Sequence, residues 1–175
     1  LTTAQVEAIE TQDLRALNTG ALRSLSTAQL EALGSAQIGA LSTGQVAALT
    51  TAQVAGLVSE DLNALDSSQI RALNTAQIAA LTPDQISTMQ SADVAALSTG
   101  QVAALGSAQL GALSTANIAA LETNQVAALT SRQVAGLGTD QIAAIETQDL
   151  RALGTAALRS LTTAQIEALG SAQIG

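Results

Sequence analysis

The side chains able to do chemistry in this chain are few. They comprise 14 carboxylates, 6 arginines and many Ser and Thr hydroxyls, with no His, Cys, Lys or Tyr. Asp13 and Arg15 beside Glu10, repeated as Asp149 and Arg151 beside Glu146, bring opposite charges close together, as a charged binding patch would require. Exposed pairs of this kind contribute at most about 1 kcal/mol, and here they read as solvated surface pairs. Glu60 and Asp61 are adjacent carboxylates, the arrangement that acid–base work or a weak Ca²⁺ contact would use. Calcium takes roughly six to eight oxygens from a shaped loop, and none surrounds these two, so they also read as surface. A Ser or Thr nucleophile needs an adjacent base. Only a carboxylate could supply one, and no hydroxyl differs in setting from its many equivalents. Phosphate-loop, dinucleotide and zinc spacings are absent. The chain is therefore expected to have no catalytic, cofactor-binding or metal-binding residue, and not to be an enzyme.

The elements carrying these residues follow from an internal repeat. From Leu1 the 175 residues divide without insertion into 21 octads and a final one lacking its last residue, as in LTTAQVEA, IETQDLRA and LSTGQVAA. Position 1 is Leu in 19 of the 22 octads, the exceptions being Ile9, Met89 and Ile145. Position 6 is Val, Ile or Leu throughout; position 3 is Ser or Thr except at Pro83; position 5 is Gln in 15 octads. Charges gather at positions 2, 4 and 7. Positions 1, 6 and 8 are thus expected to face a core, with 2, 4 and 7 in solvent. A second period lies over the first: residues 9–39 return at 145–175, 17 octads later, with four changes. The chain is one continuous array over 1–175. It starts and stops inside the pattern, so it reads as a piece of something longer.

An eight-residue period excludes one long helix. At 3.6 residues per turn the Leu stripe would rotate about 80° per octad and leave no single face to bury. A β-solenoid suits the aliphatics and Thr, but period-2 alternation is missing. The alternative that fits is an all-α solenoid of very short capped helices, one per octad. Ser or Thr before A-Q-V-A-A-L acts as an N-cap. In Thr82-Pro83-Asp84-Gln85, Pro takes the first helical position and Gln closes a capping box. That places the cap at position 2 there, whereas Val58 cannot cap and favours position 3 elsewhere; the pattern leaves both open. Helices this short lie far below the roughly 12–15 residues needed for stability alone, so contacts with neighbouring octads must hold them. Stacked Ser/Thr and Gln columns read first as caps and inter-repeat hydrogen bonds, and second as a repetitive polar face for polymers, sugars or ice.

The net charge of −8 opposes nucleic acid and anionic membrane surfaces as partners, because phosphate is bound largely through Lys and Arg. No apolar run approaches the roughly 20 residues of a membrane span.

The unit LTTAQVAAL, with variants LSTGQVAAL and LTSRQVAGL, resembles the tandem octapeptide tracts of very large bacterial secreted or surface proteins, often labelled adhesin-like or haem-utilising. The resemblance covers the whole chain but transfers no site residue. It implies an extracellular setting and a stalk, spacer or filament. A haem role gains nothing from it, since His, Cys and Tyr are absent. Residues 81–85 are also similar to the helix start of transcription-activator-like effector repeats, which are longer and present a basic face to DNA; this acidic chain does not fit them. Two functions follow as expectations: a structural solenoid, or a module binding a repetitive surface such as polysaccharide. Self-association is expected too, since Leu1, Val6, Leu169 and Ile174 occupy core positions in octads that carry no polar cap.

Overall fold

The computed structural model describes residues 1–174 and contains, among them, 22 helices of four to six residues and no strand. Helix α1 (Thr3–Glu7) lies in the first octad, α22 (Ser171–Ile174) in the last, and each octad holds one. The α-solenoid expectation holds and the β alternative does not.

Each helix is a single turn. In octad 6 the Val46 N–H donates to the Ser42 carbonyl (2.9 Å), and the chain leaves α6 (Thr43–Ala48) through a bond from the Leu49 N–H to the Val46 carbonyl (3.2 Å). Positions 1 and 2 are then extended, with Leu49 at φ −56, ψ 147 and Thr50 at φ −75, ψ 158. No described residue has positive φ. The turn therefore needs no glycine, which is how Leu and Ser/Thr can hold its two positions in octad after octad.

The cap sits at position 2. Ser42, Thr50, Thr82, Ser98 and Thr130 each accept from the N–H of the position-5 Gln, whose side chain accepts in return from the cap's own N–H. The preference for position 3 drawn from Val58 is corrected: position 3 is the first residue of the helix, as Ser59 is of the helix Ser59–Leu62. The capping box spans three residues, and only position 2 lies three before the Gln. Val58 leads into α8 (Ser59–Leu62) without any side-chain cap. The reading of Thr82 and Pro83 stands, with Pro83 at the helix start and Gln85 closing the box.

Octads do not pack chiefly on their sequence neighbours. Each helix lies on the one three octads earlier: α10 (Thr75–Ala80) on α7 (Thr51–Ala55), and α14 (Ser107–Ala112) on α11 (Pro83–Ser87). Gln77 reaches Leu49, 28 residues or three and a half octads back. One coil therefore closes after between three and four octads. Positions 6 and 1 form a continuous core, with Val46 at 0% and Leu49 at 4% exposure. Position 8 was expected in that core but lies at its edge, half-buried at Ala48, Ala72 and Ala80, because it occupies the helix end as the chain turns outward. Small residues do permit close approach: a Cβ on Gly39 would stand 2.7 Å from the Ala64 carbonyl oxygen on the next coil.

Candidate functional site

The polar feature that dominates the molecule is a ladder of buried amides at position 5. A one-turn helix has almost no internal hydrogen bonds, and its free N–H groups at one end and carbonyls at the other must find partners elsewhere. One Gln serves both ends. In octad 10 the Gln77 Oε1 accepts from the Asn74 N–H (2.7 Å) at the start of its own helix. Its Nε2 donates to the carbonyls of Val46 (3.2 Å), Ala47 (3.3 Å) and Leu49 (2.7 Å) at the end of a helix on the coil below. Gln45, Gln53, Gln101, Gln125 and Gln133 repeat the arrangement. Gly106 and Gly138 have no side chain to cap with, yet Gln109 and Gln141 still accept from their N–H groups. No buried side-chain nitrogen or oxygen among the described residues lacks a partner.

The Gln column is thus the inter-repeat bonding that the pattern suggested, and it is not a face open to a ligand: Gln77 is 0% exposed and Gln125 1%. Of the polar columns, only the hydroxyls of positions 2 and 3 remain near the surface. Replacing Gln77 with Ala would strip a donor from three carbonyls and an acceptor from one N–H. The expected loss is about 1–3 kcal/mol for each group left buried and unsatisfied. Gln5→Ala removes the same capping box from the first octad, where the side chain is exposed. Thermal melting of the two variants checks this, and the inter-coil bonds are the difference between them.

The charged groups singled out in the sequence separate in space. Asp13 is exposed, as a solvated surface residue should be, and the Arg15 Nε donates to the Ala40 carbonyl (2.6 Å). Its copy Asp149 is buried and accepts from the Thr123 hydroxyl, so the surface reading is corrected there. Glu60 is exposed, but Asp61 beside it is buried and accepts from Ser35 Oγ (2.7 Å). The buried carboxylates, Asp93 among them, stand at position 5, in Gln's place, where a coil below covers them; the octad of Asp149 is identical to that of Asp13, so nothing local distinguishes those two. No group of three or more metal-ligating side chains exists among the described residues. No helix among them is long and apolar enough to cross a membrane.

The repeat has a direction. Residues 9–39 and 145–175 are near copies, yet Leu22, Leu30 and Ile38 are 0%, 1% and 0% exposed, whereas Leu158, Ile166 and Ile174 are 40%, 49% and 63% exposed. At position 5 the trend reverses: Asp13 is exposed while Asp149 is 4% exposed. Position 6 therefore faces the following coil and position 5 the preceding one. The forward face of the last octads is an apolar surface lined by Leu150, Leu158, Ile166, Leu169 and Ile174.

The ALTTAQ repeat family model matches residues 6–43, 30–59, 54–91, 86–123, 118–144 and 142–175. No curated protein matches the chain in sequence.

Proposed function

Starting from the premise that this chain belongs to the ALTTAQ repeat family, we propose that it is a structural module, an extended solenoid that builds the stalk or filament of a bacterial surface protein. The observation that carries the reading is the complementarity of its two faces. Octads 2 to 5 have, with four changes, the sequence of octads 19 to 22, and their forward face is covered by the coil that follows, with Gln45 bonded to the Leu14 and Leu17 carbonyls. The forward face of octads 20 to 22 repeats that surface, and a second copy presenting Gln5 and its neighbours offers the matching backward face. A contact of this head-to-tail kind does not close on itself, and it propagates as a filament. The net charge of −8 favours end-on growth over lateral clumping. The extracellular setting is supported by the similarity of the octad to tracts of large secreted proteins.

Light scattering and negative-stain microscopy across concentration and salt test assembly. The wild-type chain should lengthen with concentration. A Leu158→Glu and Ile166→Glu variant, altered only where the aliphatics are already exposed, should stay short. A short monomeric rod under every condition removes the filament and leaves a spacer. Immunogold labelling of the source cell tests the surface location, and interior labelling would refute it.

A further inference from the structure

Four octads with a coil beneath them carry a short acidic or amide side chain at position 5 in place of Gln: Asp61, Asp93, Asn117 and Asp149. All four accept from the position-3 hydroxyl 26 residues earlier, on Ser35, Ser67, Ser91 and Thr123 respectively. Asn117 shows what the other half of such a side chain meets. Its Oδ1 takes the Ser91 hydroxyl (2.8 Å), and its Nδ2 donates to the Met89 carbonyl (3.0 Å), 28 residues back. Every position-5 Gln from Gln29 onward makes the same bond to the residue 28 before it, as Gln77 does to Leu49 and Gln109 to Leu81. For Asp61 that residue is Leu33. The Asp61 Oδ1 is held by Ser35 as the Asn117 Oδ1 is held by Ser91, and the same pose would put Oδ2 in the place of the Asn117 amide nitrogen, beside the Leu33 carbonyl. An ionised carboxylate has only acceptors. In that pose two acceptors would face each other across the joint unless one carried a proton.

We propose that Asp61 is a proton-operated joint in the solenoid: with a proton on Oδ2 it donates to the Leu33 carbonyl and locks one coil to the next, and on losing that proton to solvent it releases the bond. The setting favours the neutral form. Asp61 is 3% exposed. The charged groups that act on it are acidic: Glu60 on its own helix and Glu31 on α4 (Thr27–Glu31) below. Of the helices packed on α8, α5 (Ser35–Gly39) carries no charged residue and α11 carries only Asp84. Burial raises its pKa above the ordinary 3.8, Glu60 and Glu31 add to the rise, and the Ser35 hydrogen bond opposes it. Because the folded value is the higher one, the contribution of this group to stability is complete below the unfolded pKa. It is lost as pH rises through the folded value.

The test measures the ¹³Cγ shift of Asp61 across pH in the full chain, and thermal melting at pH 4 and pH 7 for wild type, Asp61→Asn and Asn117→Asp. The carboxyl should titrate above the ordinary Asp range. Asp61→Asn should melt about 2–4 °C higher than wild type at pH 7, and by less at pH 4. Asn117→Asp should show the converse, a deficit at pH 7 that narrows at pH 4. Titration in or below the ordinary range overturns the proposal. So does an Asp61→Asn variant whose melting tracks wild type at both pH values. Stabilisation of the wild type by Na⁺ or Ca²⁺ at pH 7 that Asp61→Asn abolishes would assign the joint to a cation and overturn the proton.

Discussion

Deleting residues 97–100 is expected to destabilise the array far more than deleting the whole octad 97–104. The coil is held by bonds of nearly constant sequence span, 28 residues from each position-5 Gln with a coil beneath it to a carbonyl there and, for most, 30 or 31 residues to another. Removing eight residues moves each amide beyond the cut onto the equivalent carbonyl of the adjacent octad, so the chemistry survives. One specific loss is foreseeable. Asn117 would stand over Pro83 in place of Ser91, and Pro has no hydroxyl to offer. Removing four residues leaves no equivalent carbonyl in reach. The least costly response is to loop out what remains of the octad, which ejects Val102 from a site where it is 0% exposed. That forfeits roughly 1.5–3 kcal/mol for the side chain alone, along with the Gln101 bonds to Ile70 and Leu73. Circular dichroism melts of the two deletions check the result. Equal melting temperatures would mean that the octad is not the structural unit.

Leu49→Asp is expected to be the most damaging single substitution considered, and Ala52→Asp, three residues on, close to silent. Leu49 is 4% exposed within the continuous aliphatic layer, and its carbonyl accepts from Gln77. Truncating a buried Leu to Ala costs about 2–5 kcal/mol; a carboxylate in that place must also be desolvated without a partner or take up a proton. Ala52 is exposed in the first turn of α7. A carboxylate near a helix start is mildly favourable, and changes at such surface sites usually stay within about 0.5 kcal/mol. The two variants carry the same charge, so net-charge effects cancel in the comparison. Chemical denaturation reads the difference, and matching midpoints would overturn the assignment of faces.

The octad by itself determined a good deal. Its period excluded a long helix, its Ser/Thr–Gln spacing called for a cap and a turn, and its two aliphatic columns required a core on one side. The absence of His, Cys and Lys removed the usual catalytic groups. These features are legible because each is settled within eight residues: Gln85 is three residues from Thr82, and Val46 bonds to Ser42 on the same turn. The first coil-to-coil partner lies 25 to 31 residues away. In an array of near-identical octads no side chain marks which earlier octad it will meet. The tertiary structure alone decided that a coil closes between three and four octads, that position 5 is buried, and that position 8 sits at the edge. Residues 9–39 and 145–175 make the reason plain. Nearly one sequence buries Leu22 and exposes Leu158, exposes Asp13 and buries Asp149. Burial in a solenoid is a property of the coil above or below, and that coil is supplied by other octads.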